Sequence, residues 1–249
     1  MTAAGAGDFT GFGAGAFSFL RALARHNQRE WFLANRARYE RDVRAPLAAL
    51  VEEVDALLAT MAPEIVGDPR RSLFRIHRDV RFSVDKRPYK TTAAAWFPHV
   101  DSRRAAGGAA GGAATAHGGA GFYVEITADG GSLGGGIWMP PRATLARIRE
   151  RIDDDGDTLD SLLHRAAVRR RFGEMPPEAR LTRMPRGYPA SHAHASLLRH
   201  QSFTLGRALT PAELGRADLP RLLARDYALL VPLVRWLNGA VGLRVATRR

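Results

Sequence analysis

Residues 121–127, GFYVEIT, alternate apolar and polar positions, and Asp129, Gly130 and Gly131 follow before a second extended run, SLGGGIWMP, at 132–140. A period of two on both sides of an Asp-Gly-Gly turn is the pattern of an antiparallel hairpin. Phe122, Val124 and Ile126 share one face of its first strand, with Tyr123, Glu125 and Thr127 on the other. Gly134, Gly135 and Gly136 weaken the second strand and mark either a bulge or the close approach of another backbone or a ligand.

The rest of the chain is arranged around that hairpin. Phe17, Leu20 and Leu23 recur at helical spacing, and Asn27 with Glu30 resembles a capping box opening a second helix, with Trp31, Phe32 and Tyr39 as its core positions. A third helix starts at Pro46 and carries an apolar stripe from Leu47 to Met61. Pro140 and Pro141 open further helices ending in the basic run Arg169, Arg170 and Arg171, read as a solvated face. A late strand at 202–209 precedes Thr210, Pro211 and Glu213, a capping box, and a long apolar helix expected to kink or break at Pro232. This order predicts an α+β domain, a mostly antiparallel sheet with helices packed on it, spanning 16–249 as one unit. Residues 1–15 are read as a flexible arm, and the Ala/Gly tract at 101–121 as a flexible insertion between strands.

The 249 residues contain no cysteine, which excludes disulfides and thiolate metal sites. No segment has the length of a signal peptide's apolar region or of a membrane span, so a cytoplasmic protein without membrane association is expected. His192 and His194 lack a third ligand at fixed spacing, and neither a metal nor a cofactor is read. The formal net charge of +12 is carried mostly by scattered Arg and says little by itself.

Residues 70–90 are different. Eight Lys or Arg stand there against Asp79 and Asp85, and the chain's two lysines, Lys86 and Lys90, are both among them. Phe74, Ile76, Val80 and Phe82 alternate with Arg75, His77, Asp79 and Arg81, the period of a half-buried strand, which puts Arg78 on the apolar side. A buried Arg demands an anionic partner, either a carboxylate or a bound anion.

The motif R-x-x-R-D-x-R-F followed by D-K-x-P-Y-K, here Arg75 to Phe82 and Asp85 to Lys90, resembles the signature of the domain of unknown function 2461 family. The resemblance extends to residues 31–40, 121–126, 134–140 and 185–189. It implies a bacterial family without an assigned activity. Gln201 stands where relatives often carry Lys, and the Ala/Gly tract is long for the family.

The basic segment admits three roles. In the first, Arg75, Arg78 and Arg81 form a structural ion-pair network with Asp79, Asp85 and Glu125. In the second, Arg75, Arg78, Arg81, Lys86 and Lys90, with Tyr123 and Glu125 nearby, bind a small anionic, phosphate-bearing ligand, aided by backbone N–H groups at Gly134–Gly136. Catalysis there would assign Asp79 as general base or Mg²⁺ ligand and His77 or Tyr89 as proton donor. In the third the segment contacts nucleic acid, although it lacks the aromatic pattern of an RNA-binding sheet. Convergence of Arg75, Arg78, Lys86 and Lys90 on an open cleft favours a ligand, and full pairing with carboxylates favours the network.

Overall fold

The computed structural model describes residues 8–81, 83–102, 118–177 and 180–245. The chain begins with α1 (Ala14–Arg25), α2 (Arg29–Ala34) and α3 (Arg36–Tyr39), and a π-helical turn at Glu40–Arg44 runs directly into α4 (Ala45–Met61). Four strands follow: β1 (Ala93–Phe97), β2 (Gly121–Thr127), β3 (Gly130–Ile137) and, after α5 (Arg142–His164), α6 (Ala166–Phe172) and α7 (Ala195–Leu198), β4 (Phe203–Leu209). The short α8 (Pro211–Leu214) and the long α9 (Leu219–Ala240) close the described fold. The strands form one antiparallel sheet in the order β1-β2-β3-β4, an α+β architecture with helices packed on the sheet.

The hairpin forms where the alternation places it, with Gly130 at φ +151° in the turn, a conformation open to glycine. Phe122, Val124 and Ile126 are fully buried under the helices. Each such side chain contributes roughly 1.5–3 kcal/mol through burial. The register stays continuous through Gly134, Gly135 and Gly136, so no bulge forms. Gly135 faces the helices, where a Cβ would come within 2.8 Å of Phe122 and 3.2 Å of Leu230. Its bareness lets α9 approach. On α9, the Tyr227 ring stacks on Phe122 at 4.5 Å and its hydroxyl donates to the Tyr123 carbonyl at 2.9 Å. The helix continues past Pro232 without a break.

Several local expectations change. Asn27 does not cap α2; its side chain is used elsewhere, and Gln28 occupies the cap position. Of the expected arm at 1–15, residues 1–7 lie outside the described residues, while Phe9 and Phe12 are buried and α1 starts at Ala14. Two phenylalanines give that stretch apolar surface to bury. Most of the Ala/Gly tract, 103–117, lies outside the described residues, and the strands on either side of it, β1 and β2, pair with each other.

Arg171 is not simply solvated. It and Arg207 both hold Asp226, a carboxylate 3% exposed on α9, at 2.6 and 2.8 Å, while Arg207 also pairs with Glu213 at 2.9 Å. Arg235 likewise forks onto the buried Glu64 at 2.7 and 3.2 Å. No helix among the described residues is long and apolar enough to cross a membrane.

Removing one member of a buried ionic network strands its partners. Asp226→Ala is expected to cost about 3–5 kcal/mol in urea-induced unfolding, because Arg207 loses its main counter-charge. A loss below about 1 kcal/mol would show that the network contributes little.

Candidate functional site

The two faces of the sheet are unlike. Opposite the helices, three cross-strand rows share the other face: Ala94–Glu125–Ser132–Ala208, Trp96–Tyr123–Gly134–Gly206 and Gly121–Gly136–Thr204. The β3 and β4 half of this face carries almost no side chain. Gly134 and Gly206 are directly paired, and a Cβ on Gly206 would approach the Leu133 carbonyl oxygen to 2.5 Å. The result is a cleft of about 1310 Å³ floored by the sheet and walled by Trp138 and by residues drawn from 74–81 and 90–92.

The wall is the basic segment, and it is an arch rather than the strand expected over 74–82. Residues 72–74 bond to the free edge of β1, through Trp96 N–H to Ser72 and Phe74 N–H to Ala94. The chain then pairs with its own return, Arg78 N–H to Pro88 and Lys90 N–H to Ile76. Asp79 and Asp85 each accept from the backbone N–H and guanidinium of the Arg two residues on, Arg81 and Arg87. Such Asx-type turns bend the backbone and end strand pairing. Phe82 lies outside the described residues.

One side chain anchors the arch. The buried Asn27 amide donates to the Tyr89 carbonyl at 3.0 Å and accepts from the Tyr89 N–H at 2.9 Å, as a neighbouring strand would. Tyr89 is 3% exposed and its ring stacks on Phe32 at 4.2 Å. The next residue, Lys90, is thereby directed to the cleft.

The structure divides the candidate residues. Arg75, His77, Asp79, Arg81, Lys90, Tyr123 and Glu125 all line the cleft. Arg78, Lys86 and Tyr89 do not. Arg78 is answered by Asp85 at 2.6 Å, so a carboxylate of its own arch meets its need for an anion. Lys86 donates to the Val80 carbonyl at 3.0 Å, and Tyr89 belongs to the core, outside the cleft lining. The glycines supply room rather than donors, because β3 is paired on both sides and its N–H groups are engaged in the ladder. Sequence reasoning missed Trp96, Ser132, Trp138, Thr204 and the Gly206 partner of Gly134. The alternation of 121–127 predicts an open face, but which other strands share it is a matter of register.

Charge is distributed unevenly over the cleft. Asp79 is neutralised by Arg81, and that pairing holds its carboxyl down at about 2, which makes it a weak base near neutrality. Among the described residues, Arg75 and Lys90 make no ion pair. Lys90 sits over the Phe74 ring at 5.0 Å, and burial followed by the nearby Arg75 charge pushes its ammonium below the ordinary lysine value. Glu125 accepts from the Tyr123 hydroxyl at 3.0 Å and the Ser132 hydroxyl at 3.0 Å. Burial first, then the Glu125 charge, pushes the Tyr123 hydroxyl well above its usual range, so it remains a donor. His192 and His194 face Asp153 and Asp157, away from this cleft.

Fold and site together define an α+β protein with one sheet face open beneath a basic arch. Residues 15–236 match the conserved hypothetical protein family DUF2461, and the chain belongs to that family. No curated protein and no solved structure matches it.

The Asp79 carboxyl has a folded value depressed from 3.8 to about 2, so its contribution to the arch is present above the unfolded value and lost as the pH falls through the folded one. Carboxyl-carbon NMR is expected to give Asp79 a midpoint near 2. A midpoint near 3.8 would mean that the Arg81 pairing does not persist in solution.

Proposed function

We propose that the cleft binds a small anionic ligand bearing a phosphate group. The observation that carries this is the contrast among cations of one segment. Arg78, Arg81 and Arg87 are neutralised within the arch, whereas Arg75 and Lys90 face the cleft without an ion pair among the described residues, the Arg75 charge reaching Asp79 only at longer range. Burial and the Arg75 charge both push the Lys90 ammonium below its ordinary value, and an anion bound beside the two cations would offset that cost. An Arg fork and a Lys point charge suit phosphate oxygens. The aromatic surfaces of Phe74, Trp96 and Trp138 suit an organic portion of the ligand.

Isothermal titration with inorganic phosphate tests the reading. Saturable binding is expected, weakened about tenfold or more by Arg75→Ala or Lys90→Ala, since a charged hydrogen bond contributes about 1.5–3 kcal/mol. Arg87→Ala, on the arch but outside the cleft lining, should alter affinity by no more than about twofold. Absent binding, or equal affinity in all four proteins, would overturn it. Oligonucleotide retention that collapses between low and moderate salt would instead favour a nucleic-acid surface.

A further inference from the structure

The cations that make no ion pair share their cleft with an acid in the same position. Glu125 lines the floor and has no cationic partner among the described residues. Its two oxygens each accept one hydroxyl, from Tyr123 and Ser132. A carboxylate offers about four acceptor sites, so each oxygen retains capacity for a further donor. Its row neighbours Ala94 and Ala208 end in methyl groups, and Ser132 turns its hydroxyl onto Glu125. Neither Arg75 nor Lys90 closes onto it, although all three residues line one cavity.

We propose that the ligand is a phosphate ester of a polyol or sugar, with its phosphate at Arg75 and Lys90 and a hydroxyl donating to Glu125. This rests on the anion-binding reading of the same cleft. A bare anion satisfies the two cations and is repelled by the fixed Glu125 charge; a hydroxylated ester satisfies both ends. The cleft of about 1310 Å³ also exceeds what an inorganic ion fills, and Trp138, 49% exposed, adds aromatic surface to its lining against which the C–H surface of a polyol could pack. Tyr123 and Ser132 act as positioning residues, since their hydroxyls fix the Glu125 carboxylate from within the sheet.

The test compares two esters of matched size, myo-inositol 1-phosphate and cyclohexyl phosphate, by calorimetric titration of the full chain and of Glu125→Gln. The native protein is expected to prefer the inositol ester by about tenfold, because a site built to receive a hydroxyl discriminates against the analogue lacking it. Glu125→Gln should move the two affinities in opposite directions. Cyclohexyl phosphate should tighten as the fixed anion is removed, and inositol phosphate should weaken until the preference is within about twofold. A misfolded variant would lose both, so opposite signs cannot arise from unfolding. Where circular dichroism shows the variant unfolded, the preference of the native protein decides alone. Equal native affinities, or parallel changes in the variant, would overturn the hydroxyl assignment. Failure of both esters to bind the native protein would instead sink the anion-binding reading beneath it.

Discussion

The site depends on one buried amide. Asn27, in the link between α1 and α2, satisfies both the N–H and the carbonyl of Tyr89, a residue bridged to His77 on one side and without a strand on the other. Leaving those two groups unpaired in the interior costs on the order of 1–3 kcal/mol each. The stacking of Tyr89 on Phe32 adds apolar burial to the same junction. Together they fix the point from which Lys90 leaves for the cleft. Asn238 of α9 repeats the device at the start of β2, holding the N–H and carbonyl of Ala120 at 2.8 and 3.2 Å. In both places a side-chain amide replaces a strand partner at the end of regular pairing.

The arch then divides its charges by position. An Asp followed two residues later by Arg occurs at Asp79–Arg81 and again at Asp85–Arg87, and each pair closes a local turn. Asp85 also serves Arg78, which leaves neither Arg75 nor Lys90 in an ion pair with an acid of the arch. Elsewhere the chain's surplus Arg is partly absorbed by buried carboxylates, Asp226 and Glu64, which tie helices and sheet together. The overall positive charge is therefore a poor guide to function. The position of two particular cations, above a sheet face stripped to Gly134, Gly206 and Ala208, is a better one.

Much of the fold was legible because its signals are local. The alternation of 121–127, the Asp-Gly-Gly turn, the stripe from Leu47 to Leu58 and the Thr210 capping box each form as their sequences predict. The errors occur where a distant partner decides. Alternation at 74–82 predicts a strand, yet β1 offers its edge only to residues 72–74 and the Asx turns bend the chain away. Asn27 matches a capping pattern, but a buried amide is worth more where two backbone groups lack partners. The charge of the basic segment marked it as a candidate site, whereas the β3 and β4 part of the cleft floor depends on an alignment that no local pattern encodes.

Lys90 lines the cleft proposed to hold an anion, and Lys86 does not. The chain's two lysines make this directly observable, since isotope-labelled lysine gives one side-chain resonance for each. A phosphate titration followed by NMR should shift the Lys90 side-chain signal along a saturable curve, while the Lys86 signal stays in place. Equal small shifts of both, linear in phosphate, would contradict the account.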